Sequence, residues 1–219
     1  MKKILILFLL FTFNVSYARD FSQAELSIVN VTAPEINGFS DRFGFLFGLI
    51  GSLVEQDATK EKHTNQVNKN VDAELLIQMF IKGLEYEFSE TKKFKSIRVL
   101  SNNKETKHFQ DWYKNEDILY SFDQSETSDF ICEFGIYEFT LHKQLLGDVI
   151  TATAGIKIID KKTKKIIVTA RDYSVQYPPS IKDDAPVEET KKIFDDSISK
   201  IVKIITKGVV EKIDFDKIN

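Results

Sequence analysis

Two consecutive stretches near the carboxyl end of the chain restrict its fold most strongly. Residues 149–160 alternate between apolar and polar side chains, with an apolar series on one face. A charged turn, Asp160–Lys165, leads into a return stretch at 166–177, which ends at Pro178-Pro179. Alternation with a period of two predicts a β-strand buried on one face, and two such strands joined by a short turn predict an antiparallel hairpin. The apolar series comprises Ile150, Ala152, Ala154, Ile156 and Ile158.

Two long amphipathic segments frame the predicted strands. The first begins at Asp72, with Asn70 as the other candidate N-cap, and carries Ala73, Leu76, Phe80, Leu84 and Phe88 on one face. The second begins at Pro186 and carries Phe194, Ile198, Ile201, Ile205 and Val209. Further strands are predicted at 24–31, 96–100 and 130–141, and a short helix at 106–114. Pro34, Asn37 and Gly38 are expected to end the first of these strands. This order predicts an α+β two-layer sandwich, in which a mostly antiparallel sheet has two long helices packed on one face.

Several single residues refine this expectation. Gly83 lies beside the apolar stripe of the first long helix, which predicts close packing against the sheet. Cys132 lies in an apolar strand, so we expect a small core residue, with an intermolecular disulfide as the alternative. Thr151, Thr153 and Lys157 point away from the predicted helix layer, so their face is expected to be wet or covered by a partner.

The amino terminus has the pattern of a secretory signal peptide. Lys2 and Lys3 precede an apolar run over 4–13, and Ser16-Tyr17-Ala18 provides small residues for cleavage. We therefore expect a signal peptide at 1–18 and a single domain at 19–219. The run is too short to span a membrane as a helix, and no Cys lies near the cut to carry a lipid anchor. The expected location is the periplasm, with association with the outer membrane as a further expectation.

Two motifs resemble those of bacterial envelope proteins. The run Asp129-Phe130-Ile131-Cys132-Glu133-Phe134-Gly135-Ile136 resembles a strand of the curli-secretion channel family, the penicillin-binding-protein activator lipoproteins and the TolB amino-terminal domain. The run from Ile158 to Ile167 resembles their hairpin, with Lys164 in place of the usual turn glycine. The resemblance is to the architecture of these proteins and gives no basis for assigning an activity.

A glycine-rich apolar segment at 43–54 is the first candidate interaction site. Its Gly44 and Gly48 have the GxxxG spacing that allows helices to approach closely, and 48–54 resembles a stretch found in uncharacterised exported bacterial proteins. Three interpretations remain open: a buried hairpin or short helix, a surface for self-association or a partner, and an element that dips into a membrane. A polar flexible connection is predicted at 56–70. The candidate interaction residues are Phe43, Gly44, Phe45, Phe47, Gly48 and Gly51.

An aromatic cluster, Trp112, Tyr113 and Tyr120, is the second candidate interaction site. Aromatic side chains with polar tips are enriched at protein interfaces. The alternative is that these three residues cap the edge of the sheet.

The sequence contains no recognisable catalytic motif, and no catalytic, metal or cofactor site is predicted. His63, His108 and His142 have no metal-ligand spacing, and 30 basic against 33 acidic residues do not indicate a nucleic-acid binder. We therefore expect an exported, non-enzymatic envelope protein that is a subunit or accessory factor of a secretion, transport or surface-assembly complex. A periplasmic protein that binds a small ligand or peptide, with Trp112, Tyr137 or Tyr173 in its pocket, is the alternative. A hydrolase assembled from scattered residues would need His108 or His142 near a Ser, Cys or carboxylate.

Overall fold

The computed structural model describes residues 21–40, 61–100, 108–115, 118–120, 127–144, 147–182 and 185–218. The predicted signal peptide at 1–18 and the glycine-rich segment at 43–54 lie outside these residues, as does the 56–60 part of the predicted connection.

Six strands and four helices account for most of the described chain. The strands are β1 (Glu25–Asn30), β2 (Glu35–Ser40), β3 (Ser96–Val99), β4 (Phe130–Gln144), β5 (Gly147–Asp160) and β6 (Lys165–Gln176). The helices are α1 (61–70), α2 (Ala73–Thr91), α3 (Phe109–Lys114) and α4 (Val187–Glu211), followed by a 3-10 turn at Phe215–Lys217. The predicted N-cap of the first long helix is confirmed, because Asp72 accepts hydrogen bonds from the amides of Glu74 and Leu75 at 2.8 and 3.1 Å.

The strands form a single open sheet in the order β3-β1-β4-β5-β6, and β2 pairs with β4 further along that strand. The three longest strands, β4, β5 and β6, are antiparallel neighbours, so the predicted hairpin is confirmed. The short strands pair in parallel with their neighbours. Strand β1 lies between β3 and β4 and is parallel to both, and β2 is parallel to β4. The predicted α+β class, with helices packed on the sheet, is therefore confirmed.

The main core lies between the sheet and the two long helices, which cover the same face. Phe80 of α2 stacks on Phe134 of β4 at 5.6 Å, and Ile201 of α4 is fully buried. Cys132 is a buried free cysteine in this core, as predicted. Gly83 differs from the prediction, because it packs against α4 and not against the sheet. A Cβ at Gly83 would lie 2.9 Å from Thr206 Cγ2.

Two elements at the amino-terminal end were not predicted. Asn37-Gly38 looked like a strand terminator, yet both residues lie within β2. Residues 61–70 are helical, so the predicted flexible connection is wrong over this part of 56–70. The glycine within β2 has a packing role, because α1 lies against β2 at Gly38. A Cβ at Gly38 would overlap the His63 backbone, and the Gly38 amide donates to Thr64 Oγ1 at 3.0 Å.

Candidate functional site

The sheet face opposite α2 and α4 is partly covered by the chain itself. Residues 108–115 and 118–120, which we call the strap, lie over the centre of β4 and β5. Gly135 and Gly155 are directly paired on these strands, and their missing side chains make room for the strap. A Cβ at Gly135 would lie 2.9 Å from Trp112 Cζ3, and one at Gly155 would lie 3.0 Å from Tyr113 Cε2.

Glu133 is the anchor of the strap on β4. It is buried, and one carboxylate oxygen accepts from Trp112 Nε1 at 2.7 Å. The other oxygen accepts from the amides of Leu119 and Tyr120 at 2.5 and 2.6 Å. Burial raises the pKa of Glu133, although the Trp112 indole, the two amides and Lys157 act in the opposite direction. One side chain therefore holds residues from both described parts of the strap, 108–115 and 118–120.

Lys157 of β5 provides the second anchor, directly across the strand pair from Glu133. Its side chain is 1% exposed, and its Nζ donates to the carbonyls of Trp112 and Asn115 at the end of α3. The ammonium also lies 5.0 Å from the centre of the Trp112 ring. Lys157 does face away from the long helices, as expected, but the strap covers it.

The three aromatic residues predicted as interaction candidates have different environments. Trp112 is completely buried, and Tyr120 is half-buried. Tyr113 is half-buried. Its ring stacks on the Phe109 ring with 5.3 Å between the ring centres, and the Arg171 guanidinium lies 5.5 Å from the centre of the Tyr113 ring. Burial raises the pKa of Tyr113, while Arg171 and Lys212 lower it. The cluster covers the sheet centre and not its edge, so the alternative prediction of an edge cap is wrong. The candidate residues from Phe43 to Gly51 lie outside the described residues.

A second pair of buried charges holds a loop at the opposite end of the β4–β5 hairpin. Lys143 and Asp148 are register partners, and both are buried. Lys143 Nζ donates to the carbonyl of Ile181 at 2.7 Å, and Asp148 Oδ2 accepts from the amide of the same residue at 2.6 Å. The hairpin therefore uses two pairs of charged residues to fix backbone segments. In the sequence, the signal for these two pairs is a charged residue inside an otherwise apolar strand.

A pocket of about 530 Å³ opens beside the strap, between α3 and the β5–β6 turn. Four lysines line it, and no carboxylate does so among the described residues. The lining residues are Tyr113, Lys114, Asn115, Ile118, Lys157, Lys164, Lys165, Ile166 and Thr169. We call it the lysine pocket.

The outer strand β6 has β5 as its one neighbour within the described sheet. The middle of its free edge is closed by the side chains of Asp172 and Lys212. Lys212 Nζ donates to the Arg171 carbonyl at 2.8 Å, and the Tyr173 amide donates to Asp172 Oδ1 at 2.9 Å. Such capping protects an edge from pairing with another chain. Tyr173 and Tyr177, which follow Asp172 in the chain, are 68% and 79% exposed.

Two of the histidines, His108 and His142, make long polar contacts. His108 Nδ1 lies 3.4 Å from Glu35 Oε1, and His142 Nε2 lies 3.4 Å from Thr151 Oγ1. Both His108 and Glu35 are exposed, so this pair lacks the burial that tunes catalytic groups. Across the described ranges, no three His, Cys, Asp or Glu side chains are grouped to hold a metal ion. None of the helices in the described part of the chain has the length and apolar character needed to cross a membrane.

No family model matches the sequence. No curated protein matches it either. Among solved structures, similarity extends to the PelC dodecamer from Paraburkholderia phytofirmans (6% identity, 86% of this chain and 87% of that chain, TM-score 0.39). It also extends to a Xanthomonas campestris protein of the DUF330 family model (10% identity, 83% of this chain and 81% of that chain, TM-score 0.41). A third similar structure is a lipoprotein from Neisseria meningitidis (10% identity, 81% of this chain and 96% of that chain, TM-score 0.34). Similarity at this level supports no argument about function.

Proposed function

We propose that this chain is an exported, non-enzymatic envelope protein that acts through contacts with protein partners. In this proposal it is a subunit or accessory factor of a secretion, transport or surface-assembly complex in the periplasm. The partner is another envelope protein or a second copy of the chain. The interaction and membrane-contact roles predicted for 43–54 stay predictions within this proposal.

The observation that carries the proposal is the pair of exposed tyrosines at the outer strand of the sheet. Tyr173 lies on β6, and Tyr177 follows that strand immediately before Pro178. Tyrosine offers a large apolar ring together with a polar hydroxyl, and it is enriched in the cores of protein interfaces. We call Tyr173 and Tyr177 the tyrosine patch.

The closed edge beside the patch indicates how a partner would bind. The hydrogen bonds at Arg171 and Tyr173 already occupy backbone groups at the middle of β6. A partner strand could not pair with these groups unless Lys212 and Asp172 moved. The proposed contact is therefore made by the tyrosine side chains and not by extension of the sheet.

The test replaces each patch tyrosine separately by glutamate. Tyr86 on α2 is a matched control, because it is also an exposed tyrosine, at 62%, but lies in the helix layer. We expect Tyr173→Glu and Tyr177→Glu to reduce complex formation, since burial of an unpaired carboxylate at a contact is costly. Cross-linking in intact cells and light scattering of the purified protein measure complex formation. Thermal unfolding checks that each variant is folded.

Two results decide the outcome. Loss of the cross-linked species in both patch variants, with Tyr86→Glu unchanged, supports the proposal. Wild-type levels of that species in folded Tyr173→Glu and Tyr177→Glu proteins contradict it, as does a wild type that remains monomeric and forms no cross-linked species.

A further inference from the structure

We propose that a pocket between the two long helices binds an apolar amino acid, either free or as part of a short peptide. The pocket has a volume of about 530 Å³, and it lies where the first turns of α2 and α4 face the end of α1. We call this cavity, which lies between 68–79 and 191–198, the helix pocket. The inference goes beyond the proposed function and does not rest on the tyrosine patch.

The packing of α2 against α4 opens the helix pocket. Late in both helices, Gly83 permits a close contact, because a Cβ there would lie 2.9 Å from Thr206 Cγ2. Early in both helices, Met79 and Ile198 line the pocket instead. The two helices therefore run in the same direction and separate towards their amino-terminal ends. A cavity between helices with a volume of about 300–1,000 Å³ is typical of a small-molecule site.

The floor of the helix pocket is apolar. Leu76 and Ile198 are buried, and Met79 is half-buried. Leu75 also lines the pocket, although its side chain is 51% exposed. Removing such apolar surface from water is favourable, so the floor selects a ligand that carries an apolar group.

Two opposite charges of α4 lie on the wall of the helix pocket. Lys191 and Asp195 both line it, one helical turn apart. Neither side chain forms an ion pair or hydrogen bond within the part of the chain that the structure describes. Lysine before an acidic residue at this spacing is the less favourable order for pairing along a helix. Both charged groups are therefore available to a ligand.

The balance of charge favours a ligand with both signs. Lys69 and Asp72 add one further charge of each sign to the lining. A simple anion would be repelled by Asp195, and a simple cation would be repelled by Lys191. An amino acid offers a carboxylate to Lys191, an ammonium to Asp195 and a side chain to the apolar floor. The lysine side chain is long and flexible, so its reach suits a free amino acid or a short peptide.

The end of the helix pocket at α1 provides a second observation. Asn70 lines the pocket, and its Nδ2 donates to the Gln66 carbonyl at 2.7 Å. Its Oδ1 is buried and has no hydrogen-bond partner within the described residues. Buried acceptors are nearly always bonded in native proteins. A ligand N–H, from an ammonium or a peptide amide, would supply the missing donor.

The test is isothermal titration calorimetry on the full chain with four probes. Leucine and leucyl-leucine are the two zwitterions, N-acetyl-leucinamide lacks both charges, and glycine lacks the side chain. The pocket variant is Lys191→Gln with Asp195→Asn. The control is Lys192→Gln with Asp196→Asn, which makes the same changes one residue further along α4, at exposed positions that do not line the pocket. Thermal unfolding checks that both variants are folded.

We expect saturable binding of leucine or leucyl-leucine, weakened about tenfold in the pocket variant and less than about twofold in the control. Glycine and N-acetyl-leucinamide should bind at least about tenfold more weakly than the zwitterion that saturates. Saturation by leucine identifies a free amino acid, and saturation by leucyl-leucine alone identifies a peptide.

Three results would overturn the inference. The first is equal weakening in the pocket variant and the control, which would show a general charge effect. The second is binding of N-acetyl-leucinamide as tight as that of the zwitterions. The third is the absence of saturable binding of either zwitterion to the folded wild type. None of these results bears on the tyrosine patch.

Discussion

Glu133 and Lys157 are paired across β4 and β5, and each bonds to backbone groups of the strap. A buried charge is costly unless opposite charge and hydrogen bonds compensate it. Here the compensation comes from the strap, a segment that contains the six-residue helix α3. The strap is thus held by two charges that would be unstable without it, and the position of the lysine pocket depends on both.

Glu133→Ala should destabilise the protein strongly. The substitution leaves Lys157 without its cross-strand carboxylate and leaves the Trp112 indole and two amides without their acceptor. Removal of one member of a buried ion pair costs about 3–5 kcal/mol. Urea unfolding should show this loss in the free energy of unfolding. Glu133→Gln retains one accepting oxygen and should recover part of it.

The matched control for this prediction is Glu90→Ala. Glu90 is an exposed glutamate on α2, and its replacement should change the free energy of unfolding by less than about 0.5 kcal/mol. If Glu133→Ala were no more destabilising than Glu90→Ala, the carboxylate would not hold the strap.

The raised pKa of Glu133 predicts a pH dependence with a definite sign. The ordinary pKa of glutamate is 4.5, and burial raises it in the folded protein. Above pH 4.5 the unfolded chain releases this proton while the folded protein retains it. Stability is therefore greatest below the ordinary pKa and falls as pH rises to the raised value, by up to about 1.4 kcal/mol per pH unit.

Glu133→Gln isolates this contribution from that of Glu138. The pKa of Glu138 is also raised, first by burial and then by Glu35, while His142 lowers it. The free energy of unfolding, measured in urea from pH 4 upward, should fall more steeply in the wild type than in Glu133→Gln. Parallel curves would mean that the pKa of Glu133 is the same in the folded and unfolded states.

Gly135→Ala should displace the strap by direct overlap. A Cβ at Gly135 would lie 2.7 Å from Thr32 Oγ1 and 2.9 Å from the Trp112 ring, whereas the closest atom at Gly155 is 3.0 Å away. Overpacking of this kind costs about 1–3 kcal/mol. We expect a lower melting temperature and altered tryptophan fluorescence, both larger than in Gly155→Ala. The reverse order of the two variants would argue against this packing.

The sequence predicted the elements whose patterns are local. Period-two alternation identified β5, and the helical stripes identified α2 and α4, because both depend on neighbouring residues alone. The parallel pairing of β1 with β3 and β4 joins segments far apart in the chain, and no local pattern specifies it. Gly38 was misinterpreted because a glycine that permits close contact with α1 has the same sequence signature as a glycine that ends a strand.

The candidate site was predicted only in part. Trp112 and Tyr113 were identified as a cluster, but their exposure depends on how the strap folds back over Gly135 and Gly155. Glu133 and Lys157 are separated by 24 positions, so only strand register brings them together. Tyr173 was one possible pocket residue under the alternative function of a ligand-binding protein. Its exposure follows from its place on an outer strand.

Lys164→Gly should stabilise the protein. The left-handed backbone at Lys164 costs about 1 kcal/mol with a side chain present, and glycine removes this strain. We expect a higher melting temperature in thermal unfolding. An unchanged or lower melting temperature would show that the side chain at this position offsets the backbone strain.

Site-specific photo-cross-linking in living cells tests the proposed partner contact most directly. A photoreactive phenylalanine analogue replaces Tyr173 in one strain and Tyr86 in another. Mass spectrometry then identifies what is joined to each. We expect a discrete adduct with an envelope protein or a second copy of the chain from position 173, and none from position 86. Equal labelling from both positions, or no adduct from position 173, would contradict it.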